Sequence, residues 1–160
     1  MSIAVGDSMP AGEFGVMGAD GPEKISTDAL FSGKKVVLFS VPGAFTPTCS
    51  AKHLPGYVEQ AAALQAKGVD TIACLAVNDV FVMGAWGQSA NVGDDVVMLA
   101  DGNATYTKAL GLDFDGSGFG LGTRGQRFAM IVDDGVVKAL SIEPPGQFGI
   151  SSAESILSQL

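Results

Sequence analysis

The chain holds two cysteines, one histidine and two arginines, and their spacing limits the chemistry it can do. Cys49 lies in "PGAFTPTCS", directly after an apolar run. A helix begun there has Thr46 as N-cap, Pro47 in its first position and Cys49 in its third, the place a capping-box glutamate normally takes. A thiolate at that position faces unpaired N–H groups and the positive end of the helix dipole, both of which favour the anion. An ordinary thiol ionises near pH 8.5, and bringing one to about pH 6 takes roughly 3.4 kcal/mol of preferential anion stabilisation. A helix terminus supplies about 0.3–1 kcal/mol and at best ~2. A second cation or strong donor is therefore required.

Few residues can supply it. Lys52 and His53 follow three and four positions on, and Arg124 and Arg127 are the only arginines. Arg127 opens the strand-like "RFAMIV", which can hold it rigidly at a sheet end, and its planar fork carries permanent charge. Arg127 is preferred to Lys52 on those grounds, while Arg124 reads as a solvated loop residue. Cys74 sits inside "TIACLAV", where a cysteine behaves as a small apolar residue. Its functional alternative, a resolving thiol, needs the two Cα atoms within about 7 Å and local unfolding. His53 could pair with Cys49 as a hydrolase base, but i,i+4 spacing on one helix leaves no third group to orient the ring.

The positioning elements follow the hydrophobic pattern. "GEFGVMGADGPEKIS" predicts a hairpin around Asp20-Gly21, and "STDALF" a short capped turn. "KKVVLFSV" predicts a strand buried on both faces. A helix follows with Tyr57, Val58, Ala61 and Leu64 on one stripe, Gly68 as its stop and Pro55 as a kink or interruption. Next come strand "VDTIACLAV", a helix opened by Asn78 or Asp79, strand "VVMLAD" and a helix from Asn103 through "ATYTKALG". This alternation predicts βαβ units. "RFAMIV" and "VVKALSIE", joined by Asp134-Gly135, predict a closing hairpin, and "SSAESILSQL" a final helix with a Ser-x-x-Glu box. A mixed central sheet with helices on both faces is the simplest closure, in one α/β domain over residues 1–160. "DFDGSGFGLGTRG" predicts a long Gly-rich loop of the functional or mobile kind. Phe81, Met83 and Trp86 read as core or interface, and no G-x-G-x-x-G follows a strand, which weakens a dinucleotide reading.

Composition excludes several partners. A formal charge of -8 with nine scattered Lys and Arg argues against nucleic acid and anionic membranes. No apolar run approaches the ~18 residues of a membrane span, and "MSIAVGDSMP" lacks a basic segment followed by an apolar core, so a cytoplasmic location is expected. In that reducing compartment two cysteines point to redox or catalytic roles, or to burial, before a permanent bridge. With neither C-x-x-C nor a Cys/His cluster, zinc is not indicated.

"PGAFTPTCSAKHLPGY", "CLAVNDVFVMGAW" and "LGTRGQRFAMIVDDGVVKALSIE" resemble a peroxiredoxin of the type II, fifth-class group, from about residue 3 to the C-terminus. The specific part is P-x-x-x-T-x-x-C. The resemblance implies a thioredoxin-like fold with an N-terminal β-hairpin extension. It implies Cys49 as peroxidatic cysteine, Thr46 as donor to the peroxide oxygens, Pro42 as a solvent shield and Arg127 as holder of thiolate and peroxide. Backbone N–H groups of Ala44 and Cys49 would complete the pocket. Hydrogen peroxide or an organic hydroperoxide would be the substrate, with no metal, haem, flavin or other cofactor, and a homodimer is implied. "GQFGISSAES" lacks the second cysteine that some members carry there, so an external thiol is expected as reductant: glutathione with glutaredoxin, or thioredoxin. Two other classes remain. A peroxide-sensing module would form sulfenic acid readily yet turn over slowly with any reductant. A hydrolase using His53 would survive Arg127→Ala and fail with His53→Ala, the reverse of a peroxidase.

Overall fold

The structure, a computed structural model, describes residues 2–160. In chain order these form β1 (Glu13–Gly18), β2 (Gly21–Ser26), α1 (Thr27–Phe31) and β3 (Lys35–Ser40), then a π-helical turn (Cys49–His53). Next come α2 (Leu54–Glu59), α3 (Ala61–Ala66), β4 (Thr71–Ala76), α4 (Val80–Ser89), β5 (Val97–Ala100) and α5 (Thr105–Leu110). The rest is β6 (Asp113–Asp115), β7 (Thr123–Gly125), β8 (Phe128–Asp133), β9 (Val136–Ile142) and α6 (Ala153–Leu157). Seven strands make one mixed sheet in the order β2-β1-β5-β4-β3-β8-β9. β3, β4 and β5 run parallel; β1 and β8 pair antiparallel with the two sides of this group, and β2 and β9 pair antiparallel with β1 and β8.

The apolar run "KVVLFS" lies at the middle of this sheet because both its faces are covered, as its continuous hydrophobicity requires. Val37, Phe39 and Val41 pack into a layer with Leu54, Tyr57, Leu64, Met83, Trp86 and Ile156. Val36 and Leu38 pack on the other face with Phe14, Leu30, Phe31, Tyr106 and Leu110. Alternation with period two sorts these side chains, and each fully buried Leu or Phe contributes about 1.5–3 kcal/mol. Helices therefore lie on both faces, the thioredoxin-like arrangement that the sequence led us to expect.

The local signals were met unevenly. Asp134 and Gly135 turn β8 into β9 with φ of 48° and 79°, a conformation that suits this dipeptide. Asp79 caps α4 by accepting from the Val82 N–H at 2.8 Å. Pro55, expected to kink or interrupt the helix, stands in the first turn of α2, directly after the π-helical turn. The disruption lies before it: the Leu54 N–H reaches five residues back to the Cys49 carbonyl. That wide turn has already left the i→i−4 ladder, so a residue without an N–H costs little there. α5, expected from Asn103, begins at Thr105, and the Asp101 carboxylate accepts from the N–H groups of Tyr106 (3.1 Å) and Thr107 (2.7 Å). The final helix is capped by Ser152, which accepts from Ser155 N–H at 3.2 Å, one residue later than the Ser-x-x-Glu pattern placed it. The Gly-rich stretch is ordered as the small hairpin β6–β7.

Candidate active site around Cys49

The chain leaves β3 in a tight loop that two distant side chains pin. Asn78 Oδ1 accepts from the Ala44 N–H at 2.9 Å. From the other side Arg124 donates through Nη1 to the carbonyls of Val77 (3.2 Å) and Pro42 (3.4 Å), and through Nε to Leu121 (3.0 Å). Arg124 is thus a loop clamp, not the solvated residue its sequence context suggested. A Cβ at Gly43 would stand 3.0 Å from Arg124 Nη1 and 3.2 Å from Thr46 Cγ2, so any larger residue would push the clamp or Thr46 aside by a few tenths of an ångström. Phe45 is held at φ 65°, a left-handed conformation costing a side-chain-bearing residue about 1–2 kcal/mol. Its ring lies 6.4 Å from Trp86, whose Nε1 donates to Ser50 Oγ at 3.0 Å.

Helical geometry begins at Pro47, with Ser50 N–H bonded to the Thr46 carbonyl at 2.9 Å, so Cys49 falls in the first turn as its spacing implied. No side chain caps this segment. Thr46 Oγ1 instead donates to the Gly43 carbonyl at 2.6 Å. The Thr48 and Cys49 N–H groups, which lack intrahelical acceptors in a first turn, therefore remain available to a bound oxygen. Two expectations need correction here. The Ala44 N–H is taken by Asn78, so Thr48 replaces it beside Cys49 as a backbone donor. Thr46 has committed its hydroxyl hydrogen to Gly43 and offers lone pairs, an acceptor for a hydroperoxide O–H and not a donor.

Cys49 is fully buried, and its sulfur meets Arg127. Arg127 sits one residue ahead of β8, anchored by its carbonyl to the Glu143 N–H at 2.9 Å. Its Nη2 donates to Cys49 Sγ at 3.2 Å and its Nη1 to His53 Nδ1 at 2.7 Å. The Phe148 ring lies 5.8 Å from the guanidinium carbon and 4.9 Å from the His53 ring. Lys52, the other candidate cation, is exposed. Pro42 is half-buried at the start of the loop.

His53 is also fully buried, its ring tilted between Phe39 at 4.9 Å and Phe148, and its Nε2 donates to the Ser151 carbonyl at 3.1 Å. A guanidinium only donates and a carbonyl only accepts, so the ring is neutral, with hydrogen on Nε2 and a lone pair on Nδ1. Burial, then the charge of Arg127, lowers its pKa to about 3. A hydrolase would need this ring as base, and its one basic nitrogen is occupied by a group with no proton to surrender. Because His53 and Arg127 touch, Arg127→Ala and His53→Ala are not independent tests, contrary to the separation the sequence suggested. Ser151 is fixed in turn by Glu143, whose carboxylate accepts from Ser151 N–H (2.8 Å), Ser151 Oγ (2.7 Å) and Gly149 N–H (2.6 Å). Burial pushes the Glu143 carboxyl up, but these donors outweigh it and hold it below its ordinary value. Neither Glu143 nor Ser151 carried a sequence signal for this role.

Cys74 is buried mid-strand opposite Phe39, on the same sheet face as Cys49, and both thiols are free. Burial, then the proximity of Cys49, pushes the Cys74 thiol well up.

Residues 4–157 match the Redoxin family. The chain is 54% identical over 159 residues to peroxiredoxin-2C of rice, Oryza sativa subsp. japonica, covering 99% of this chain and 98% of the relative. It is 54% identical over 164 residues to the rice chloroplastic peroxiredoxin-2E-2, covering 99% of this chain and 73% of that one. Its fold superposes on reduced Prx3 of Vibrio vulnificus in complex with hydrogen peroxide with a TM-score of 0.94 and 53% identity, covering 98% of each chain.

Proposed function

We propose that this chain, which belongs to the redoxin family and is a peroxiredoxin, reduces peroxides through the sulfur of Cys49. The observation that carries the assignment is the Arg127 Nη2 donor 3.2 Å from Cys49 Sγ; among the described residues Cys74 has no such partner. The Cys49 thiolate attacks the terminal oxygen of the hydroperoxide. An S–O bond forms as the O–O bond breaks, and the departing oxygen takes the electron pair and a proton from solvent to leave as water or an alcohol. Arg127 and the N–H groups of Thr48 and Cys49 face the charge that moves between sulfur and oxygen, Thr46 accepts from the substrate O–H, and Pro42 limits water at the sulfur.

The resulting sulfenic acid condenses with one external thiol, releasing water and leaving a mixed disulfide; a second thiol displaces Cys49 and leaves as the oxidised disulfide. Glutathione with glutaredoxin, or thioredoxin, fits this external role. The loop 144–150 holds no cysteine, and Cys74 is locked in a central strand. A homodimer is part of the reading, supported by the exposed Phe45 and Phe81 beside α4. So is a reducing, cytoplasmic setting, which suits two buried free thiols; the chloroplastic relative shows that family membership leaves the compartment open.

Peroxide consumption by wild type and Cys49→Ser, each with dithiothreitol, glutathione plus glutaredoxin, and thioredoxin, tests the assignment. The variant is expected to lose activity with every reductant. Undiminished turnover would remove Cys49 from the mechanism.

A further inference from the structure

We propose that His53 is a positioning residue: its Nδ1 lone pair holds one arm of the Arg127 fork so that the other arm stays on the Cys49 sulfur. The inference rests on the reading of Cys49 as the reacting thiol and assigns a role that reading leaves unfilled.

Arg127 has a long, flexible side chain whose fixing costs rotamer freedom. Among the described residues two groups set the orientation of the half-buried guanidinium, the Cys49 sulfur on Nη2 and His53 on Nη1, with the Phe148 ring against one face. The sulfur cannot be the anchor, because it is the atom that changes during reaction: a thiolate accepts strongly, a sulfenic acid or mixed disulfide weakly. The nitrogen acceptor at 2.7 Å does not change, so the imidazole keeps the fork aimed while the sulfur passes through its oxidation states. A carboxylate there would do the opposite. It would neutralise the guanidinium and draw it away from the thiolate, whereas a neutral acceptor orients the charge without cancelling it.

The ring's own fixing is built from the far end of the chain. Ser151 supplies the carbonyl that holds the hydrogen on Nε2, and the Glu143 carboxylate holds Ser151. Tyr57 O–H donates to the same carbonyl at 2.8 Å. Glu143 is also the residue whose N–H binds the Arg127 carbonyl, so one residue ties the main chain of Arg127 to the loop that orients its side-chain partner. The low basicity of His53 agrees, since a ring that gained a proton would repel the guanidinium it holds.

Two near-isosteres separate this role from mere packing. His53→Asn keeps an acceptor near the Nδ1 position and loses the bond to Ser151; His53→Gln keeps a donor near Nε2 and loses the acceptor for Arg127. Alkylation of Cys49 by iodoacetamide against pH, with the mid-strand Cys74 as the comparison, reports the thiolate without needing peroxidase turnover. A failed functional assignment, seen in Cys49→Ser, is thereby distinguishable from a failed role for His53. His53→Gln is expected to move the alkylation profile to higher pH and to lower the peroxide rate constant roughly 10- to 100-fold, the scale of a misplaced catalytic group. His53→Asn should recover most of both. Equal losses in the two variants, or a wild-type profile in His53→Gln, would overturn the proposal. Should either variant fold poorly, the wild-type protein decides: with a single histidine, its two ring ¹⁵N signals must report hydrogen on Nε2 and a bonded acceptor at Nδ1, unchanged from pH 7 to pH 5. Hydrogen on Nδ1 would rule the proposal out.

Discussion

Cys49 and Cys74 occupy the same apolar layer, one at the first residue of a π-helical turn and the other in the middle of β4. Both sulfurs are fully out of solvent. The difference is what replaces the lost water. Around Cys74 there are strand neighbours whose backbone groups are spent on the sheet, and the thiol is pushed well up. Around Cys49 there is an arginine nitrogen at 3.2 Å and a helix start without a side-chain cap. Burial by itself makes a cysteine inert; burial with a fixed donor set makes it a site.

Arg127→Ala attacks that contrast most directly, since it leaves Cys49 in surroundings closer to those of Cys74. Peroxide reduction is expected to fall by about 10²–10³-fold, the loss typical of one preorganised donor at developing charge, measured as the second-order rate constant under saturating reductant. A fall of less than threefold would mean that the helix start alone distinguishes the two thiols.

Acid stability comes next. His53 titrates near 3 in the folded chain against about 6.5 unfolded, so the unfolded state binds the extra proton and stability drops as pH falls from about 6.5 toward 3. The slope approaches about 1.4 kcal/mol per pH unit, a total of roughly 4–5 kcal/mol. Between pH 6.5 and 4.5 His53 acts without Glu143, whose depressed carboxyl adds its own loss only below its ordinary value of 4.5. Urea unfolding of wild type and His53→Asn across that window should show a shallower pH slope in the variant. Parallel slopes would place the acid sensitivity elsewhere.

The smallest effect is expected at the other sulfur. Cys74→Ala should cost about 1 kcal/mol in urea unfolding through a small cavity and leave the rate of peroxide reduction unchanged. A rate that drops with every reductant would make Cys74 a participant and erase the contrast.

Much of this was legible from local chemistry. The buried strand "KVVLFS" and the Asp134-Gly135 turn follow from hydrophobic runs and the φ values that side chains tolerate, and those rules act over a few residues. The meeting of Cys49 and Arg127 was legible by elimination, because only two arginines exist and an ion-stabilising partner was required. What stayed hidden was decided by partners distant in sequence. The tautomer of His53 is set by a carbonyl 98 residues on, and the Ala44 N–H is taken by an asparagine 34 residues on. Ser151 left the cap of the last helix because Glu143 captured it. The Ser-x-x-Glu pattern was real, and a carboxylate outside it won.

The π-helical turn has a meaning in the grammar of insertions and deletions. It is an α-helical turn carrying one residue too many, and Pro55 just beyond it keeps the surplus from being absorbed downstream. Each residue advances an α-helix by about 100°, so the surplus is what rotates Cys49 toward Arg127 while the helix that follows stays in register with the core. Removing one exposed residue, such as Ala51, would discard no buried side chain and yet turn the sulfur away by about that angle. The catalytic geometry is in this sense an inserted phase, stored in the chain's length as much as in its side chains.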